Sequence, residues 1–150
     1  MPGNRPSTVC VVDDQGVVLH ESTVATEPSC ISEALASFTP ELVGLEAGPM
    51  SEWLHDGLTA QGLETILMET RHVKAALRAS LVKTDRRDAR GIANLLRLGW
   101  FKPVLVKAAS ARERRVLLAA RDTLARRMRD LDNAVRGLLR GFGLRPPRLL

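Results

Sequence analysis

The sequence predicts an α/β fold, in which a mixed sheet is flanked by helices and followed by a long C-terminal amphipathic helix. Short β-branched or apolar runs alternate with longer stretches that carry apolar residues at helical spacing. Two strand-like runs come first in succession, which is typical of a hairpin that leads into a mixed sheet. In the last third of the chain leucine recurs at every seventh position, which indicates one long helix.

The first two strands are predicted over residues 9–12 and 17–19. Both runs are rich in valine, and the four residues from Asp13 to Gly16 between them are typical of a turn. We therefore expect an antiparallel hairpin near the start of the chain.

Two helix–strand units follow the hairpin. Apolar residues at helical spacing predict helices over residues 29–38 and 49–60. Each is followed by a short apolar run, at residues 42–46 and 65–68, which indicates a buried strand. This order favours a sheet that is covered by helices.

Two more helices are predicted over residues 70–82 and 83–98. Residues 101–107, which include Pro103, are predicted to form a short strand or an extended link. The apolar stripe of the second helix consists of Ala89, Ile92, Leu95 and Leu96.

The last helix is predicted to begin at a capping box, with Ser110 as N-cap and Glu113 bonding back to it, and to end near Gly141. It can pack on its own domain, or pair with another helix as a hairpin or an intermolecular coiled coil. We favour pairing, and expect a homo-oligomer formed through this helix, because no partner helix follows it in the sequence. We accordingly divide the chain into a domain over residues 1–107 and a coiled-coil-like segment over residues 108–150. The heptad leucines are Leu117, Leu124, Leu131 and Leu138.

Charge is distributed unevenly along the chain. Residues 1–69 hold eleven acidic residues and one basic residue, a net charge of −10, whereas residues 70–150 hold twenty-one basic and six acidic residues, a net charge of +15. Arginine predominates in the basic half, and its planar guanidinium group suits phosphate. The pattern favours a nucleic-acid partner, with a solvated and ion-paired surface as the alternative.

The composition also argues against other classes of protein. No apolar run approaches the ~20 residues that a membrane helix needs, and the start of the chain lacks the apolar stretch of a secretory signal. Cys10 and Cys30 lack a metal-binding spacing, and the three histidines are scattered. We expect a cytoplasmic protein with no membrane partner.

The segment over residues 83–90 carries the clearest chemical pattern. Asp85 and Asp88 lie three residues apart, so in a helix they share one face, with Cβ atoms roughly 5–6 Å apart. Glu46 ends the apolar run of the third predicted strand. Three carboxylates in a basic surround suit Mg²⁺, a hard cation that prefers oxygen ligands. The pattern predicts metal-dependent phosphodiester chemistry.

Basic residues around these acids are candidate nucleic-acid contacts, and they lie on the same predicted helix and on the one before it. In the alternative interpretation the aspartates pair with neighbouring arginines, Glu46 bonds to backbone amides, and the basic residues are only solvated. The candidate contacts are Lys83, Arg86, Arg90, Arg71, Lys74 and Arg78.

Together, these stretches resemble the N-terminal part of the DEDD-type insertion-sequence transposases, a family of bridge-RNA-guided recombinases with a Holliday-junction-resolvase-like domain. The matching motifs lie at residues 9–18, 43–47 and 83–89 and in a distal pattern over residues 118–144, so the resemblance covers nearly the whole chain. It implies an RNase H-like sheet, a Mg²⁺-dependent site, DNA as the substrate and a guide RNA as a partner.

The resemblance also implies roles for single residues. Glu46 matches the glutamate of the family, and Asp85 and Asp88 match its last two aspartates. The first aspartate of the family would lie at or before Met1, and its serine nucleophile would lie in a later C-terminal domain. We therefore expect a fragment truncated at both ends, which lacks the start of its first strand and has little activity alone.

Two functions are consistent with these observations. The chain is either the N-terminal portion of a DNA transposase or recombinase, or a non-catalytic nucleic-acid-binding and oligomerisation module. A structural helical adaptor, whose charge serves solubility, is a third possibility. Nucleic-acid binding separates the first two from the third, and metal dependence separates the first from the second.

Overall fold

The computed structural model of the protein describes residues 6–78 and 84–147. The chain divides into two compact units, Met1–Val106 and Lys107–Leu150. Strands and helices alternate in the first unit, and the second is built on one helix, so the predicted α/β class with a long C-terminal helix is confirmed. In chain order the elements of the first unit are β1 (Ser7–Val12), β2 (Val18–Val24), α1 (Pro28–Leu35), β3 (Val43–Glu46), α2 (Ser51–Ala60), β4 (Thr65–Met68), α3 (Thr70–Leu77) and α4 (Asp85–Arg97).

The predicted hairpin is formed by β1 and β2, which pair antiparallel and start with Ser7 opposite Val24. Its turn is stabilised by Asp13, whose Oδ1 accepts hydrogen bonds from the backbone amides of Gln15 and Val17 at 3.0 and 2.8 Å. The second strand continues well beyond the predicted 17–19, because its polar residues pair with β1 along the ladder.

The other two strands form a separate parallel pair, in which Glu46 of β3 lies opposite Met68 of β4. On the far side of β4, Pro103 forms an antiparallel bridge with Met68, and the amide of Val104 donates to the carbonyl of Leu67 at 2.8 Å. Within residues 6–78 and 84–147 no ladder joins β1 to β3, so the expected mixed sheet consists of two two-stranded sheets.

The core of the first unit consists of two apolar clusters. One lies between the hairpin and helices α1 and α2, and the other packs α3 and α4 against β4. The buried members of the first cluster are Val9, Ile31, Leu35, Leu54 and Leu58, and those of the second are Met68, Val73 and Leu95.

The second unit contains the 32-residue helix α5 (Ala109–Arg140). The predicted capping box is wrong, because Ala108 is the N-cap residue and Ser110 already lies within the first turn. The four heptad leucines are between 64% and 73% exposed, so oligomerisation through this helix stays a prediction. No helix in the described part of the chain is both long and apolar enough to cross a membrane.

Candidate metal and nucleic-acid site

An open groove of about 1150 Å³ lies between β1 and β3. Every residue of both strands lines it, and Glu46 is among them. Helices on either side contribute apolar side chains, so Glu46 stands beside a mainly hydrophobic space. The helix residues that line the groove include Ile31, Leu35 and Leu54 from α1 and α2, and Ala89, Ile92, Ala93 and Leu96 from α4.

Glu46 is the last residue of β3 and is half-buried. Hydrogen bonds fix the backbone just after it: the amide of Ala47 donates to the carbonyl of Met68 at 2.9 Å, and the Thr70 hydroxyl donates to the carbonyl of Ala47 at 2.5 Å. The strand end that carries the carboxylate is therefore held to both β4 and α3.

Asp85 and Asp88 lie in the first turn of α4, after Thr84 as the N-cap residue. The Thr84 hydroxyl accepts a hydrogen bond from the amide of Arg87 at 3.3 Å, which satisfies one of the free amides at the helix start. Carboxylates at this position also interact favourably with the helix dipole. Both aspartates thus contribute to starting the helix, whatever else they bind.

The two aspartates continue the groove-facing stripe of α4 by one turn. Asp85 lies four residues before Ala89, and Asp88 lies four residues before Ile92; residues at this spacing share a helix face. Since Ala89 and Ile92 line the same groove as Glu46, all three sequence-predicted acids belong to elements that border one space.

The three acids are not assembled into a closed metal site. Among the described residues, no group of three or more histidine, cysteine, aspartate or glutamate side chains is placed to hold a metal ion. Glu46 thus lines the groove, whereas Asp85 and Asp88 lie one helical turn before the α4 residues that line it, and the three do not form a metal-binding cluster.

Two arginines of α4 donate hydrogen bonds to the hairpin. Arg90 donates to Glu21 Oε1 on β2 from both Nε, at 3.2 Å, and Nη2, at 3.0 Å. Arg97 donates to the carbonyl of Asp14 in the hairpin turn at 3.0 Å. At Gly16 an added Cβ would lie 2.9 Å from Asn94 Oδ1, so α4 approaches the turn closely.

The sequence does not predict either of these arginine contacts. Arg90 is a predicted nucleic-acid contact that the structure places against Glu21, and Arg97 was given no role. Their partners lie 69 and 83 residues away in sequence, so no local pattern marks either pair.

The remaining predicted nucleic-acid contacts lie on exposed surface or outside the described residues. Arg71, Lys74 and Arg78 are exposed along α3 and at its end, and Arg86 is exposed in the first turn of α4. Lys83 lies outside the described residues, as does the end of the helix predicted over residues 70–82. These exposed cations form the basic stripe of α3 and α4, which phosphate groups can reach from solvent.

Burial raises the pKa of the Cys10 thiol in β1, and the Glu21 carboxylate beside it raises that pKa further, whereas the Arg90 guanidinium acts in the opposite direction. The thiol is therefore protonated at neutral pH and is a weak nucleophile. Its surroundings show that α4, through Arg90, covers the Cys10 face of the hairpin.

Comparison with known proteins identifies the family. A family model for transposases of the DEDD type associated with IS110 matches residues 3–143. The transposase for insertion sequence element IS1111A of Coxiella burnetii is 29% identical over 137 residues; the match covers 91% of this chain and 36% of that protein, so the chain spans about a third of its relative. T. thermophilus RuvC in complex with Holliday junction substrate is 19% identical with a TM-score of 0.43, over 68% of this chain and 98% of that one. Because the family model covers almost the entire sequence, the chain belongs to the DEDD transposases of the IS110 type.

Proposed function

We propose that this chain is the N-terminal, catalytic-domain portion of a DNA transposase, in which Glu46, Asp85 and Asp88 hold Mg²⁺ beside bound DNA. The observation that carries the proposal is the shared groove: Glu46 lines it, and the aspartates extend the α4 stripe that lines it. Family membership supports the reaction class, since the matching relative is a transposase.

The donor set fits a magnesium ion. All three side chains are carboxylates, which supply the oxygen ligands that Mg²⁺ prefers while it keeps several waters. When bound there, the ion would stabilise charge on a phosphodiester group. The contribution of the chain is to hold Glu46 at a fixed strand end and to present the aspartates from a capped helix.

The basic stripe on α3 and α4 would bind the nucleic acid. Its exposed members are Arg71, Lys74, Arg78 and Arg86, and Arg90 would join them if it left Glu21. A guide RNA, which the family resemblance implies, would use the same phosphate-binding residues. The exposed leucines of α5 support oligomerisation as part of the same proposal.

We expect the 150-residue polypeptide to show little or no strand cleavage by itself. Three acids cannot clamp two cations as four can, and among the described residues no ready cluster of three exists. The assay is nicking of supercoiled DNA with Mg²⁺ or Mn²⁺. A Glu33→Gln variant, changed at an exposed position of α1, is the matched control for Glu46→Gln. Robust nicking that disappears in Glu46→Gln and persists in Glu33→Gln would contradict the expected inactivity while confirming the role of Glu46.

The second candidate function is a non-catalytic nucleic-acid-binding and oligomerisation module. It is favoured by the exposed heptad leucines of α5 and by the absence of an assembled metal cluster in the described ranges. It predicts nucleic-acid binding that is unchanged by divalent ions and by the Glu46→Gln substitution. Binding that Mg²⁺ strengthens only when Glu46 is present would exclude it.

A further inference from the structure

The groove between β1 and β3 is bordered by two strand edges that have no ladder partner in the described structure. β1 pairs only with β2, and β3 pairs only with β4. Each strand also lines the groove along its whole length. The free edges therefore face a common space, in which backbone N–H and C=O groups need partners.

Apolar side chains cover this space from two layers of helices. Val9 and Val11 of β1 pack toward α1 and α2, and the alternation of a strand turns Cys10 to the opposite face, where Arg90 of α4 lies. The groove is thus a gap within the sheet layer. A strand that is buried on both faces must be apolar on both.

We propose that this groove is a docking site for one extended peptide strand, apolar on both faces, that pairs with β1 on one side and β3 on the other. Filling the gap joins the two small sheets into a single five-stranded sheet. Neighbouring strands lie about 4.8 Å apart, so a single strand can bridge edges that are about twice that distance apart. This inference shares the groove and Glu46 with the proposed metal site, but it rests on the unpaired strand edges and not on metal binding.

The two free edges decide what kind of occupant fits. A helix satisfies its own backbone and offers nothing to either edge. The β1 edge of a second copy arrives already paired with its own β2, so it can fill only one of the two edges. An extended segment with both sides free is the occupant that pairs with both.

The charged residues that line the groove indicate which residues should lie at the two ends of the docked strand. Four carboxylates line the groove, and its one lining guanidinium, that of Arg97, already donates to the carbonyl of Asp14. Basic residues at the ends of the strand would therefore be attracted. The acidic lining residues are Asp13, Asp14, Glu41 and Glu46.

The test is hydrogen exchange on the full chain with a synthetic peptide of alternating valine and isoleucine flanked by lysines. We expect saturable protection of β1 and β3 together, with exchange of the groove-facing amides slowed by about tenfold or more. The control peptide carries a central proline, which lacks the N–H for the ladder, and should protect neither strand.

Two variants locate the effect. Ala93→Phe places a bulky side chain in the groove and should abolish protection, whereas Ala75→Phe, at an exposed position of α3, should leave it unchanged. The proposal would be overturned if only one of the two strands were protected, or if the proline peptide protected them equally well. Protection that increases with protein concentration in the absence of peptide would also overturn it. The proline comparison decides the matter even if Ala93→Phe fails to fold.

Discussion

Raising the salt concentration from about 50 to 200 mM is expected to weaken duplex DNA binding by this chain about a thousandfold. Phosphate contacts release bound counterions, so the logarithm of affinity falls with the logarithm of salt by about 0.9 for each contact. Six contacts give a slope of about −5. The residues assigned to them are Lys83, Arg86, Arg71, Lys74 and Arg78, together with Arg90 once it leaves Glu21 for phosphate.

A triple variant tests whether the contacts lie where we place them. Changing Arg71, Lys74 and Arg78 to glutamine should reduce the magnitude of the salt slope by about three, because each lost phosphate contact removes about one unit. The matched control changes three exposed arginines of α5 and should leave the slope nearly unchanged. Equal losses in both variants would show that DNA binding is spread over the whole basic half. The control positions are Arg115, Arg127 and Arg129.

The Met68→Ala substitution is expected to lower the free energy of unfolding of the first unit by about 2–5 kcal/mol. Met68 is fully buried and packs with Val73 and Leu95, so its loss leaves a cavity under β4. It also lies opposite Glu46 in the parallel ladder. A loosened β4 would therefore disturb the strand that carries the proposed ligand.

Urea unfolding followed by tryptophan fluorescence measures this effect. Both tryptophans, Trp53 and Trp100, belong to the first unit, so the signal reports that unit alone. Met50→Ala is the control, because that side chain is 38% exposed and should change stability by no more than about 0.5 kcal/mol. Similar losses in both variants would contradict the assignment of Met68 to the core.

The elements of the fold were predictable where a local pattern determines them. The alternating valines and the turn from Asp13 marked the hairpin, and the run after Thr84 marked α4, whose cap and first-turn acids are local features. The end of β2 was not predictable, because its polar residues are held by pairing with β1 and by Arg90 at Glu21. Strand propensity alone cannot reveal such tertiary support.

Local sequence rules also failed at the start of α5. The predicted capping box at Ser110 competes with a start at Ala109 that needs no side-chain cap. Asp132 pairs with Arg136 four residues later at 3.6 Å, whereas Asp122 pairs with the adjacent Arg121. The Arg121–Asp122 pair is exposed, and exposed ion pairs are worth little, so small differences in geometry decide which pair Asp122 forms.

The residues of the candidate site could be proposed from the sequence, but the groove beside them could not. The spacing of Asp85 and Asp88 placed both on one helix face, and the position of Glu46 at a strand end followed from the apolar run before it. The groove itself depends on how the two small sheets are spaced, which no local segment encodes. The unpaired edges of β1 and β3 result from that spacing, so the sequence could not have predicted them.

The central claim is that Glu46, Asp85 and Asp88 bind one divalent cation together, and Mn²⁺ binding followed by electron paramagnetic resonance tests it most directly. We predict saturable binding that Glu46→Gln and Asp88→Asn each weaken by at least about tenfold, while Glu33→Gln has no effect. Mn²⁺ affinity that is the same in the wild-type chain and in both ligand variants would contradict the claim.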